Sequence, residues 1–156
     1  QLGSDIVASS VAAVSKYPSP IIVINLGTAM TFSYLSSNSY EGCAIAPGIR
    51  LALEALSERA AQLPHISLEG PVNPLGRNTV DAMRAGVILG SAGTVDAMIE
   101  RMEEAAGAAA QTIVATGYGS AQLLRHCRHE IRLDHNLLMD GLFLLYQKNT
   151  ATNRKK

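Results

Sequence analysis

Ile21-Ile22-Val23-Ile24-Asn25-Leu26-Gly27-Thr28-Ala29-Met30-Thr31-Phe32-Ser33-Tyr34-Leu35 is the stretch whose reading decides the fold. An unbroken β-branched run leads into a glycine turn and out into a second apolar run, which spells strand, tight turn, strand. Gly27 permits close approach of backbone to a ligand, and Thr28 and Thr31 add hydroxyls. Backbone N–H groups and small hydroxyls at such a turn can cradle phosphate oxygens. The plainer alternative is an ordinary hairpin turn, in which Gly and Thr are common.

Working outward, residues 3–16 are predicted to be a helix, with Ser4 or Asp5 as its cap and Ile6, Val7, Val11 and Val14 as its apolar positions. Pro18 and Pro20 end it. Residues 21–25, 29–36 and 40–46 form three consecutive strands, hence an antiparallel meander. Ile49 to Leu63 has helical spacing, and 64–78, with Pro64, Pro71 and Pro74, is a loop. Asn78 or Thr79 caps a long helix running to about Ala106. A strand over 111–116, a turn at Gly117-Tyr118-Gly119, a short helix over 120–126, a strand over 130–133 and a helix over 136–147 complete the order. A meander followed by alternating strands and helices implies a mixed sheet with helices on its faces, and on such sheets ligands bind where glycine turns leave the strand ends. Two such turns are present, at Gly27 and Gly117.

Composition narrows the function. The 156 residues suit one domain with a sizeable core, and 47% of them are hydrophobic. Acidic and basic residues balance at a formal net charge of zero, and Trp is absent, so neither a basic field nor a stacking surface for nucleic acid is expected. Arg154-Lys155-Lys156 is the one dense basic cluster, read with residues 150–156 as a disordered tail. No apolar run is long enough for a membrane span and no signal peptide is visible. Cys43 and Cys127 lack metal-type spacing and read as reduced, buried thiols of a cytoplasmic protein. His65, His126, His129 and His135 have no compact ligand spacing, which argues against zinc, with His126 and His129 expected at the surface.

Each candidate chemical group has a structural reading beside its functional one. Asp5 is either a first-turn carboxylate or a general base for a substrate hydroxyl. Gly76-Arg77-Asn78-Thr79 is either an N-cap or a helix terminus that receives a polar ligand group. Ala115-Thr116-Gly117-Tyr118-Gly119 is either a plain strand-to-helix turn or a nucleotide loop. Met83, Met98 and Met102 read as core filler on the long helix.

Six blocks, LGSD (2–5), NLGTAMTF (25–32), EGCAIAPGIRLALEALSERAAQLP (41–64), GRNTVDAMRAGVILG (76–90), IVATGYGSAQLL (113–124) and DGLFLLY (140–146), together resemble the C-terminal half of type III pantothenate kinase. That family belongs to the acetate and sugar kinase, Hsp70 and actin superfamily. The resemblance spans nearly the whole chain and implies an α/β fold: an RNase H-like half over residues 1–149, with three antiparallel strands extended by two parallel ones. It implies transfer of the ATP γ-phosphate to the hydroxyl of pantothenate, the first step of coenzyme A synthesis, with Mg2+ and a monovalent cation (K+ or NH4+) as cofactors. Asp5 matches the family's proton acceptor. Gly3, Ser4, Asp5, Ile6 and Thr79 fall on pantothenate-binding positions. Gly27, Thr28 and Thr31, with Gly117 and Gly119, fall on ATP-binding positions, and Asn25 on the cation position. The resemblance further implies a dimer, and a long helix from Thr79 that packs across one sheet face or forms the dimer contact. Cys43, Ala44, Ile45 and Ala46 are expected to be buried in the third strand.

Three positions depart from the family pattern. Ile6 stands where the family has an arginine, so a charge-assisted contact to the substrate carboxylate, typically about 1.5–3 kcal/mol, is missing. Asn25 replaces an aspartate, and Tyr118 replaces a second glycine after Ala115-Thr116-Gly117. The family's first half, with its Asp-x-Gly-Asn-Thr phosphate loop, has no counterpart in these residues. Two expectations follow. One is a kinase half-site, a fragment or a subunit, as a homodimer or a heteromer with a chain carrying the N-terminal half, in which a partner supplies the missing phosphate loop. The other is a non-catalytic, degenerate or regulatory homologue that dimerises and binds a ligand.

Overall fold

Burial on both faces makes Ile21–Leu26 (β1) the centre of the sheet, which is why its run is uninterruptedly apolar apart from Asn25. Ala29–Leu35 (β2) pairs antiparallel with β1, and Tyr40–Pro47 (β3) pairs antiparallel with β2. Thr112–Thr116 (β4) lies parallel on the other side of β1, followed by the two-residue Arg132–Leu133 (β5). The computed structural model, which describes residues 3–37, 39–60 and 62–153, thus has one five-stranded mixed sheet in the order β3-β2-β1-β4-β5. Three antiparallel strands extended by two parallel ones is the arrangement the sequence implies.

Alternation along the strands assigns the two faces. Ile22, Ile24, Leu26, Met30, Phe32, Tyr34 and Ala115 face the long helix Thr79–Ala106 (α3), whose Ala92, Val95 and Ile99 complete that core layer. Ile21, Val23, Leu35 and Val114 face Ser4–Lys16 (α1) and Leu137–Asn153 (α5) through Ala12, Ala13 and Leu137. Asn78 starts α3, its side chain accepting the Asp81 N–H, and Gly107 in the left-handed region ends it. α3 packs across a sheet face, one of the two places expected. Met83 is buried on it, and Met98 and Met102 pack against the core, as filler should.

Two polar knots tie helices to the sheet edge. Asp96 on α3, itself buried, accepts the backbone N–H groups of Arg128 and His129 and faces His129 Nδ1 at 2.8 Å. Burial pushes its carboxyl up, but His129 and the two N–H donors outweigh that and hold it below the usual carboxylate range. Lys16 reaches Asp134 at 2.8 Å and Asp140 at 2.6 Å, while the Tyr17 hydroxyl also donates to Asp134. Cys127, beside the first knot, has its thiol pushed up to about 11 by burial and by Asp96.

Several expectations need correction. Cys43 is exposed and Ile45 is 66% exposed, whereas Ala44 and Ala46 are half-buried against the α3 core. β3 is an edge strand, and α1 and α5 do not cover the face to which Cys43 and Ile45 point. The N-cap of α1 is Gly3, and neither Ser4 nor Asp5 makes a side-chain cap. Ile49–Arg59 (α2) stops short of Leu63, because Pro64 disfavours helical backbone before it. α5 continues to Asn153, beyond the expected end at 147, with the Thr150 hydroxyl donating to the Tyr146 and Gln147 carbonyls. Residues 154–156 lie outside the described residues. His126 and His129 are half-buried, the latter held by Asp96.

Candidate functional site

Three turns leave the same end of the sheet and pack on one another: Gly27-Thr28 after β1, Gly48 after β3, and Gly117-Tyr118-Gly119 after β4. The Gly48 N–H donates to the Thr28 carbonyl at 2.9 Å, and Gly27 N–H to the Ala29 carbonyl at 3.1 Å. A Cβ at Gly48 would sit 2.0 Å from the Gly27 carbonyl oxygen. One at Gly117, where φ is +121°, would sit 2.0 Å from the Leu26 carbonyl oxygen. Only glycine allows these backbones to approach so closely. Gly27 is therefore part of a three-turn junction, not of an isolated hairpin.

Below the junction opens a cleft of about 620 Å³, within the range of small-molecule sites. Gly27 and Thr28 line it from the sheet end, and Gly119 and Ser120 from the start of Ser120–Leu124 (α4). α2 contributes Ile49, Arg50 and Leu53, and the loop after it contributes Ser67, Leu68 and Glu69. Gln122 Nε2 donates to the Leu68 carbonyl at 2.9 Å and so fixes that loop against α4. The Thr28 hydroxyl makes no hydrogen bond among the described residues. At the rim the Arg50 guanidinium lies 5.4 Å from the centroid of the Tyr118 ring.

The other predicted site residues lie on the α1 side of the sheet. Asn25 Nδ2 donates to Ser9 Oγ at 3.1 Å and to Thr31 Oγ1 at 3.2 Å, and Ser9 Oγ donates to the Asp5 carbonyl at 2.7 Å. This chain of bonds couples the first turn of α1 to the end of β1. Asp5 is exposed and makes no ion pair among the described residues. Gly3 lies against it: a Cβ there would sit 2.5 Å from Asp5 Oδ1. Ser4 is exposed, while Ile6 is only 5% exposed and belongs to the core. Thr79 is exposed at the start of α3 and does not line the cleft; nor does the buried Thr31. The structure thus divides the expected set. Gly27, Thr28, Gly119 and the Gly117 junction belong to the cleft, Asn25, Thr31, Gly3 and Asp5 to the α1 side, and Thr79 stands apart from both groups.

Sequence reasoning missed Arg50, Gln122 and Ser9. The signal for Ser9 was its place four residues after Asp5, on the same helix face. Arg50 and Gln122 carry no local motif, and only the convergence of α2 and α4 brings them to one cleft.

A family model described as type III pantothenate kinase matches residues 1–101. The chain belongs to that family. A type III pantothenate kinase of Brevibacillus brevis is 42% identical over 97% of this chain and 59% of its own length. One of Bacillus cytotoxicus is 38% identical over 100% of this chain and 60% of its own length. The chain therefore spans about three-fifths of the curated relatives it matches. Among solved structures, a Baf-family protein of Campylobacter jejuni superimposes with a TM-score of 0.67 at 22% identity, over 96% of this chain and 66% of that one. The activator of 2-hydroxyisocaproyl-CoA dehydratase from Clostridium difficile, solved with bound ADPNP, gives 0.63 at 12% identity, over 97% and 69%. An archaeal actin homologue, Ta0583, gives 0.57 at 12%, over 91% and 54%. At these identities the likeness establishes the fold: an RNase H-like half of the actin and Hsp70 type.

The donor set bears on metals. Among the described residues no three His, Cys, Asp or Glu side chains group as a metal site. Asn25, whose Nδ2 donates to Ser9 and Thr31, offers a neutral amide oxygen and no charge to a cation. Among the described residues no helix is long and apolar enough to cross a membrane.

Proposed function

We propose that this chain is the larger part of a type III pantothenate kinase that transfers the γ-phosphate of ATP to the hydroxyl of pantothenate or a close analogue. The observation that carries this reading is the three-turn junction, where Gly27, Gly48 and Gly117 bring backbone together beside an unbonded Thr28 hydroxyl at the mouth of a cleft. Family membership and the ADPNP-bound structural neighbour favour a nucleotide there. ATP phosphates would lie along the Gly27-Thr28 turn, and Mg2+ carried by the nucleotide would supply neutralising charge there. The Asp5 carboxylate would accept the proton of the attacking hydroxyl, whose oxygen bonds to the γ-phosphorus as the bond to the β-γ bridging oxygen breaks and ADP leaves. Such transfer depends on positioning and charge stabilisation, and the Ser9–Asn25 chain supplies positioning for the Asp5 turn. A segment corresponding to the two-fifths of the relatives not matched here, carried by this protein or by a partner chain, would complete the ATP site. A cytoplasmic setting goes with this substrate pair.

A second reading is favoured by Ile6. It is buried and apolar, so this position supplies no cation to hold a substrate carboxylate beside the Asp5 turn. In that reading the chain is a degenerate or regulatory homologue. ATP-dependent phosphorylation of pantothenate and pantothenate-like alcohols, measured with the protein and its completing segment, separates the two. Asp5→Asn is expected to lower kcat by about 10²–10⁴-fold with ATP binding unchanged. Turnover indifferent to Asp5→Asn removes the base role, and no turnover of any such alcohol leaves the second reading.

A further inference from the structure

We infer that Tyr118 and Arg50 form a stacking clasp at the cleft mouth that receives the planar base of a purine nucleotide. This inference rests on the nucleotide reading above and assigns it a specificity element.

Tyr118 is 88% exposed, belongs to neither core cluster, and is flanked by Gly117 and Gly119, both at positive φ. An aromatic ring held that far out of the core contributes little to folding, and the flanking glycines already satisfy the turn. The ring nevertheless has a partner. Arg50 comes from α2, on the opposite wall, and places its guanidinium 5.4 Å from the ring centroid. Among the described residues Arg50 makes no salt bridge. Both side chains line the cleft that Gly27 and Thr28 also line.

Net charge does not draw an anion into this cleft, because Arg50 and Glu69, the two formal charges of its lining, cancel. A nucleotide would therefore need short-range donors for its phosphates and a flat apolar contact for its base. The Thr28 hydroxyl supplies the first, and the Tyr118 ring with the guanidinium plane supplies the second. α2 has no buried residue, so the wall that carries Arg50 can shift to admit a base between it and the ring.

Calorimetric titration of the protein, together with its completing segment, with Mg-ADP and with Mg-tripolyphosphate tests this, using Tyr118→Gly, Tyr118→Phe and Arg50→Gln. Tripolyphosphate reports the turn alone, and ADP reports turn plus base. Tyr118→Gly is expected to weaken ADP by about tenfold and leave tripolyphosphate unchanged, in keeping with the loss of one base–aromatic stack. Tyr118→Phe should retain parent affinity, because the ring and not the hydroxyl makes the contact. Arg50→Gln should weaken ADP by about threefold. ADP binding that is unchanged or tighter in Tyr118→Gly overturns the clasp and makes the ring a bystander or a cover, while the nucleotide reading survives. Equal loss for both ligands also overturns it, as turn distortion. If the parent protein binds neither ligand, the nucleotide reading itself fails and takes the clasp with it.

Discussion

The sheet spine and the outer wall of the cleft are built on opposite terms. β1 and β2 bury almost every side chain, with Ile22, Ile24 and Phe32 fully removed from water. α2, which forms the wall, has no buried residue, and Leu51 and Leu56 remain substantially exposed on it. The spine is held by burial from both faces. The wall is held by its connection at Gly48, by modest contact with α3 and by the loop pinned through Gln122. A ligand entering the cleft therefore meets one rigid side, which fixes the Gly27-Thr28 turn, and one side with little stability of its own to oppose adjustment.

Chemical denaturation sharpens or breaks this contrast. Phe32→Ala should cost the most, about 3–5 kcal/mol, since it empties a fully buried site between sheet and α3. Gly117→Ala follows at about 3 kcal/mol, because the added methyl meets the Leu26 carbonyl and the backbone lies at φ +121°. A Gly117→Ala protein as stable as the parent would mean that the junction is loose and that the Gly27-Thr28 turn is not rigid. Asp96→Asn should cost about 2 kcal/mol at pH 7, by weakening three contacts to Arg128 and His129. Because the folded Asp96 carboxyl is depressed, its contribution is present above the unfolded value of about 3.9 and is lost as pH falls through the folded one. The stability gap between parent and Asp96→Asn should therefore close in acid, and a gap that persists well below pH 3.9 would assign the effect to packing. Leu56→Ser on α2 should cost least, under about 1 kcal/mol. A loss comparable with that of Phe32→Ala would erase the distinction between spine and wall.

The elements most legible in the sequence were those with strong local signals. The β-branched run, the Asn78 cap and the glycine turns placed β1, α3 and the three-strand meander correctly. The site was legible in part. Gly27, Thr28, Gly117 and Gly119 announce themselves as turn residues, and the structure brings them together. Burial in β3 was misjudged because strand composition does not say which strand lies at the edge. The Gly3 cap of α1 was missed because Ser4 and Asp5 are the better cap formers by type. Tyr118 was seen as a departure from its family, but its partner Arg50 was not, since 68 residues separate them in the chain.

The sequence by itself determined the layers of this protein, because apolar periodicity and turn chemistry are local properties that the chain carries wherever it goes. It also determined the family, through blocks whose order and spacing survive substitution at Ile6, Asn25 and Tyr118. The tertiary structure alone decided which side chains meet. It put Asn25 against Ser9 and Thr31, left Thr79 away from the cleft, and laid Arg50 over Tyr118. Those meetings depend on how α1 and α2 come to lie against a twisted sheet, and that geometry is set by packing across the whole molecule.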